Sequence, residues 1–186
     1  MASVDKDTAN WRLFGGGGLL VGGILWLLAV ILGQPSVMGP GDVSKWLGII
    51  GLVVVAIGFF LVAWGQTGSN GAVGGSMLGK IGLWAAALGT LLWALLPLFG
   101  VAIAGTWGWV VAILVVVGTL LAAIAIMQKG VARGLAKWMM WLVFLLALLF
   151  FLGTVAGVGA LASWVIALIF AIVVALTGLI YLLNKK

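Results

Sequence analysis

One stretch of this sequence has the residue types and spacing of a phosphate-binding loop. Gly74-Gly-Ser-Met-Leu-Gly79-Lys80 matches the first seven positions of the pattern G-x-x-x-x-G-K. In that motif, backbone N–H groups and the lysine hold phosphate, and a Ser or Thr at the eighth position holds Mg²⁺. Ile81 occupies the eighth position, and no strand-forming run precedes the stretch. We therefore interpret it as a flexible Gly/Ser loop, 65–79, that ends at Lys80.

Little other chemistry is available to this chain. It contains no Cys and no His, which excludes disulfides, thiolate and imidazole metal sites, and His-based catalysis. No Asp, Glu, Lys or Arg lies within the long apolar stretches, where such groups usually mark ion paths or proton relays. A nucleophile at that depth would also lack an activating base. We predict no catalytic residue, no metal, no other cofactor and no nucleic-acid partner, and we expect the protein not to be an enzyme.

The composition is that of an integral membrane protein. Apolar residues make up 66% of the 186 residues and charged residues 6%, against roughly half and a quarter in soluble domains. A helix needs about 20 apolar residues to cross the hydrocarbon, and the runs here are continuous rather than alternating. We therefore predict an all-α, polytopic fold. A tail, 1–12, precedes a single domain, 13–184, with six transmembrane helices at about 13–32, 46–64, 81–99, 109–127, 138–155 and 164–183.

The basic residues determine the predicted orientation, because loops rich in Lys and Arg stay in the cytoplasm. With the N-terminus inside, only Lys45 lies on the outer side. The inner side then carries Lys6, Arg12, Lys80, Lys129, Arg133, Lys137, Lys185 and Lys186. We expect a multi-pass protein of the bacterial inner membrane with both termini cytoplasmic. Lys129, Arg133 and Lys137 form a cytoplasmic basic cluster, where anionic membrane lipid attracts each cation by ~1 kcal/mol.

Tryptophans are predicted at both membrane surfaces, as in the aromatic belts of other membrane proteins. Trp26 and Trp93 lie deeper in their spans, where we expect them to pack against other helices or lipid. The inner belt would consist of Trp11, Trp64, Trp84, Trp138 and Trp141, and the outer belt of Trp46, Trp107, Trp109 and Trp164.

The six spans also indicate an internal repeat of three helical hairpins. Trp26 and Gly33 in the first span have the same spacing as Trp93 and Gly100 in the third. The second helix of each hairpin opens with a tryptophan and an aliphatic run, at Trp46, Trp109 and Trp164. The alternative is chance similarity, since apolar spans of low complexity align easily with one another.

Small residues at four-residue spacing predict faces where helices approach closely. We expect most of these faces to pack within the chain, although contact with a second chain or a homo-oligomer stays open. The predicted packing residues are Gly18 with Gly22, Ala85 with Gly89, Gly118 with Ala122, Gly153 with Gly157, and Ala167, Ala171 and Ala175.

Four residues could perturb the predicted helices. Pro97 removes one backbone hydrogen bond, so we expect a kink in the outer half of the third helix, with a hinge or gate as the functional alternative. Thr90, Thr119 and Thr177 are the main polar groups at depth. We expect their hydroxyls to bond to carbonyls of their own helices rather than to line a pore.

In layout, the chain resembles the HdeD family of small bacterial inner-membrane proteins. The resemblance depends on the six short-looped helices and on apolar runs bounded by glycine, such as Gly22 to Gly33 and Gly48 to Gly58. It covers the whole chain and includes no diagnostic motif. It implies a non-enzymatic, acid- or stress-related membrane protein without a cofactor.

Three functional hypotheses follow from the sequence. The first is a non-catalytic protein that acts by helix packing, as an accessory subunit of a larger bacterial membrane assembly such as a respiratory complex. The second is a passive conduit or carrier for a neutral or apolar solute or for lipid. The third is the stress role that the HdeD resemblance implies. A conduit requires a continuous crevice between hairpins, whereas an accessory subunit requires a closely packed interior.

Overall fold

The computed structural model describes residues 11–33, 42–64, 71–101, 105–155 and 160–184. These residues contain no strand, which confirms the all-α prediction, and six helices that are long and apolar enough to cross a membrane. The chain is therefore an integral membrane protein. The helices are α1 (Gly17–Leu32, preceded by a π-helical turn, Trp11–Gly16), α2 (Asp42–Trp64), α3 (Met77–Leu95), α4 (Gly105–Lys129), α5 (Ala136–Val155) and α6 (Ala160–Leu183).

Several helices begin before the apolar runs that predicted them. The first turn of α2 starts at Asp42, whose carboxylate suits the positive end of the helix dipole. In α3, Ser76 caps the helix by accepting a hydrogen bond from the Gly79 N–H at 3.3 Å. Of the predicted tail, 1–10 lies outside the described residues, whereas Trp11 belongs to the first helix. Its apolar ring is buried.

The six helices form a closed ring. Each packs against its neighbours in sequence, and α6 packs against α1 to complete the circle. Across the ring, no two helix backbones of the described chain come into contact, so side chains alone fill the centre. We call the end with the start of α1 and the end of α6 the terminal face. The end of α2, the start of α3, the end of α4 and the start of α5 lie on this same face.

The backbones of α1 and α2 approach each other closely along their seam. A Cβ atom added to Gly22 would lie 2.6 Å from the backbone N of Val55 and 2.7 Å from the carbonyl O of Gly51. A Cβ added to Gly18 would lie 3.0 Å from the Cα of Gly58. These two backbones are therefore in direct contact, which only residues without a side chain allow.

The seam between α3 and α4 repeats the geometry of the α1–α2 seam. A Cβ on Gly58 would lie 2.7 Å from Leu19 N, and one on Gly118 would lie 2.6 Å from Ala86 N. Equivalent residues of the two hairpins are 67 positions apart in the first helix and 60 positions apart in the second. With these offsets, the contact of Gly15 with Val62 recurs as Gly82 with Ala122, and the contact of Gly22 with Val55 recurs as Gly89 with Val115. This common register supports the repeat hypothesis for the first two hairpins.

The structural offsets also correct the sequence alignment of α2 with α4, the second helices of the first two hairpins. The tryptophans that open α2 and α4, Trp46 and Trp109, are 63 residues apart, whereas structurally equivalent contacts are 60 residues apart. Tryptophans at a membrane surface follow the position of the interface, and glycines follow the helix contact. The glycines therefore give the true correspondence.

The third hairpin breaks the pattern. Gly178 of α6 follows Gly118 by 60 residues, but it contacts Leu20 and Gly16 of α1 rather than its hairpin partner α5. In the same seam, a Cβ on Gly23 would lie 2.6 Å from Ala175 N. Helix α1 therefore has two adjacent small-residue rows, one for α2 and one for α6, and the second row closes the ring.

The other predicted packing residues divide between seam and periphery. Ala122, Ala171 and Ala175 are buried, whereas Ala85 and Ala167 are half-buried. At the α3–α4 seam, the neighbouring Ala86 takes the position predicted for Ala85. Gly89 contacts Val115 within that seam, and Gly157 lies outside the described residues.

Pro97 lies at the end of a helix rather than within it. The α-helical part of α3 ends at Leu95, and a 3₁₀ turn continues from Leu96 to Phe99. Gly100 closes the turn with a φ of 73°, and its N–H donates to the Pro97 carbonyl at 3.2 Å. The proline therefore tightens and terminates the span at this position.

We predict that Gly22→Leu destabilises the folded protein by about 3 kcal/mol, because the new side chain overlaps the backbone of α2. The measurement is thermal unfolding in a mild detergent. Gly17→Leu is the matched control, since nothing lies within 4 Å of a Cβ at Gly17. Equal melting temperatures for the two variants would contradict the close backbone contact between α1 and α2 at Gly22.

Candidate functional site

The residues that could do chemistry do not converge on a reactive site. Within the described parts of the chain, no group of three His, Cys, Asp or Glu side chains could hold a metal ion. Among the described residues, the features to consider are an aromatic cluster in the centre of the ring, a polar cluster on the terminal face, and two grooves on the perimeter.

The centre of the ring is filled by aromatic rings, which we call the aromatic centre. Trp26 of α1 makes edge contacts with Trp93 of α3 at 5.4 Å and with Phe170 of α6 at 5.2 Å between ring centroids. Phe150 and Phe151 of α5 contact Trp93 at 5.0 and 5.7 Å. The two deep tryptophans therefore face the other helices, one of the two environments expected from the sequence.

The buried threonines make no polar path through the ring. Thr90, Thr119 and Thr177 donate to the carbonyls four residues earlier in their own helices, at 2.8, 2.7 and 2.7 Å. This confirms the prediction from the sequence. Each hydroxyl is satisfied locally, so none of these hydrogen bonds joins one helix to another.

On the terminal face, two buried aromatic side chains, each of which carries a polar atom, contact each other. Trp11 and Tyr181 are 1% and 0% exposed, and their ring centroids are 5.4 Å apart in an edge contact. A guanidinium nitrogen of Arg12 lies 3.4 Å from the Leu182 carbonyl, at the negative end of α6. Trp11 is thus inside the bundle and not in the surface belt predicted for it.

The stretch that matches the phosphate-loop pattern folds as a turn that packs against the neighbouring helices. Ala72 and Val73 are fully buried, and Ala72 N–H donates to the Val62 carbonyl at 2.9 Å, which ties the turn to the end of α2. A Cβ on Gly79 would lie 2.5 Å from the Ala125 Cβ. Gly79 therefore packs directly against α4. Residues 71–76 form a turn and Met77 begins α3, so the predicted loop ends before residue 79; its first part, 65–70, lies outside the described residues.

The predicted basic cluster lies at the connection between α4 and α5. Lys129 ends α4, and Arg133 follows in the connecting segment; both are exposed. The Lys137 ammonium lies 5.5 Å from the centroid of the Trp138 ring, within range of a cation–π contact. These side chains are accessible on the terminal face.

Two grooves lie between hairpins, where the packing contacts lack glycine. The larger one, between α2 and α3, encloses about 470 Å³, and the smaller one, between α4 and α5, encloses about 130 Å³. Apolar side chains line both grooves. Those of the larger groove are Ala56, Ile57, Phe60, Trp84, Ala87, Leu88 and Leu91. Sequence reasoning missed these grooves because the lining residues have the same apolar character as those that face lipid.

In comparisons with known proteins, no family model, curated protein or solved structure matches this chain. Its function must therefore be inferred from its own residues. Of these, the aromatic centre bears most directly on function, because it decides between a sealed interior and an open one.

We predict that Trp26→Ala destabilises the protein by about 3–5 kcal/mol, because it removes a ring that is 6% exposed and leaves a cavity in the aromatic centre. Trp46→Ala is the control, since Trp46 is 52% exposed. Thermal unfolding of both variants in the same detergent would measure the difference. Equal stability would show that the ring centre is not a packed core.

Proposed function

We propose that this protein is a non-catalytic accessory subunit that stabilises a larger complex of the bacterial inner membrane, such as a respiratory assembly. The observation that carries the proposal is the aromatic centre. A bundle whose centre is filled by rings such as Trp26 and Trp93, and whose deep hydroxyls are satisfied within their own helices, acts through its outer surface.

Helix α5 is the best candidate for the contact with a partner. The share of its span that is buried is 33%, against 50% for α4. Its outward stripe consists of Leu142, Leu145, Leu149 and Leu152, which are 45–55% exposed. Spacings of three and four residues along such a stripe suit a second helix packed at a small crossing angle.

The second candidate is a carrier for an apolar solute or for lipid. The α2–α3 groove favours it, because that groove opens laterally toward the bilayer. An axial conduit has less support, since the aromatic centre occupies the axis. The observation that distinguishes the two candidates is whether the protein works alone or in a complex.

We expect gentle-detergent purification of the tagged protein from its native host to recover a larger complex at constant stoichiometry. A photo-crosslinking residue in place of Leu149 should crosslink to a subunit of that complex. The matched control is Ile24 of α1, which is similarly exposed but on another helix. Recovery of the protein alone at native expression levels would contradict the accessory role and favour the carrier.

We also infer that the terminal face is cytoplasmic, because it carries nearly all of the basic residues. The absence of native cysteine allows a direct test. We expect Lys45→Cys to react with a membrane-impermeant maleimide in intact cells, and Arg133→Cys to react only after the membrane is permeabilised. Both positions are exposed, so accessibility within the fold does not bias the comparison. The reverse labelling pattern would show that the terminal face lies on the outer side of the membrane.

A further inference from the structure

The α2–α3 groove has the size of a binding site. Its volume of about 470 Å³ falls within the ~300–1,000 Å³ typical of small-molecule sites. The floor consists of Ala56 and Ala87, which are 5% and 9% exposed. Alanine is too small to fill the space between two helices that have no glycine contact to draw them together. The gap is therefore a consequence of the sequence at this seam.

The groove admits a ligand from the bilayer rather than from water. Ile57 and Leu88 flank it and are about half exposed, at 51% and 50%, on the surface that faces lipid. No charged side chain lines it. The part of a ligand that enters must therefore be an apolar chain.

An aromatic group marks the end of the groove nearer the terminal face. Phe60 and Trp84 belong to both the groove and this group, and Trp64 completes it, with ring centroids 5.1 to 6.2 Å apart. Aromatic side chains of this kind favour the level of the lipid headgroups. The Trp84 indole N–H has no acceptor among the described residues, which leaves an unsatisfied donor beside the groove.

A positive charge lies beyond the aromatic group. Lys80 is one helical turn before Trp84 and three residues after Met77, near the start of α3. The residues of α3 that line the groove are at positions 84, 87, 88 and 91. Position 80 does not line the groove, but its spacing extends the same helix face by one turn. The order along the stripe is thus cation, aromatic ring and apolar groove.

This order matches an anionic phospholipid, whose headgroup, interfacial region and acyl chain follow the same sequence. We propose that the α2–α3 groove is a binding site for one anionic phospholipid from the leaflet at the terminal face. An acyl chain lies on the floor formed by Ala56 and Ala87, and the phosphate lies at the level of Lys80. The proposal requires no partner subunit and is independent of the accessory role.

The groove between α4 and α5 provides an internal comparison. Its volume is about 130 Å³, and its lining includes one alanine, Ala112, together with the bulky Phe151. Trp109, near the start of α4, is the aromatic residue at its outer end. One helical turn before Trp109 the chain has Gly105 rather than a lysine, so this groove lacks both the volume of the larger one and a cation next to its aromatic residue.

Native mass spectrometry of the full-length protein in mild detergent tests the proposal. The probes are phosphatidylglycerol and phosphatidylcholine with identical acyl chains. We expect one phosphatidylglycerol to bind roughly five-fold more tightly than phosphatidylcholine, the factor that one cation near the membrane surface supplies. Lys80→Gln should remove this preference. Lys129→Gln, another lysine on the terminal face, should retain it.

A second pair of variants tests the groove itself. Ile57→Trp covers the mouth of the groove and should weaken the binding of both lipids by at least ten-fold. Ile113→Trp makes the same change at the smaller groove and should leave binding unchanged. Both isoleucines are exposed, at 51% and 56%, so neither variant disturbs the core.

Three results would overturn the proposal. They are equal affinity of the unaltered protein for the two lipids, full binding by Ile57→Trp, and the same loss from Lys129→Gln as from Lys80→Gln. Because these measurements use the isolated protein, their failure would leave the accessory role untouched. Recovery of the protein without a complex would likewise leave the lipid site untouched.

Discussion

The structure depends on the backbone of α1 approaching two helices at once. In lipid, apolar side chains gain little by leaving the hydrocarbon for a helix contact, so helices associate through close van der Waals packing. The paired glycines at 15–16, in the turn before α1, and at 22–23, within α1, provide two rows of contact along the first span. One row holds α2 and the other holds α6. Without the second row, the six helices would form an open chain of hairpins rather than a ring.

The positions of the glycines also explain where the bundle is loose. The seams of α1 with α2, of α3 with α4, and of α6 with α1 have backbone contacts. No glycine contact draws α2 toward α3 or α4 toward α5, and both perimeter grooves lie at these two boundaries. Inside the ring, the greater separation leaves room that tryptophan and phenylalanine fill. Grooves and aromatic centre are therefore two results of the same uneven spacing.

Much of the fold could be predicted from the sequence, because membrane spans are defined by hydropathy and length. The self-bonded threonines were predictable too, since the hydroxyl of each can reach a carbonyl of its own helix. Which face of each helix points to the centre of the ring could not be predicted. In a soluble protein, polarity separates core from surface, but Trp26 in the centre and Ile24 facing lipid have the same apolar character. For the same reason, the grooves gave no signal, and Trp11 was assigned to the membrane surface although it is buried. The seam between α6 and α1 joins residues about 150 positions apart, so no local pattern indicated it.

Closure of the ring by the last helix has a consequence for biosynthesis. The row of α1 that contacts α6 includes Gly23, and its partner Ala175 is made only near the end of translation. At about 5–20 residues per second, the intervening chain takes roughly 10–30 s to synthesise. During that interval, one side of α1 is inserted without its final neighbour. The two hairpins formed by α1 to α4 can assemble as they emerge, whereas the complete bundle forms only after the final helix enters the bilayer.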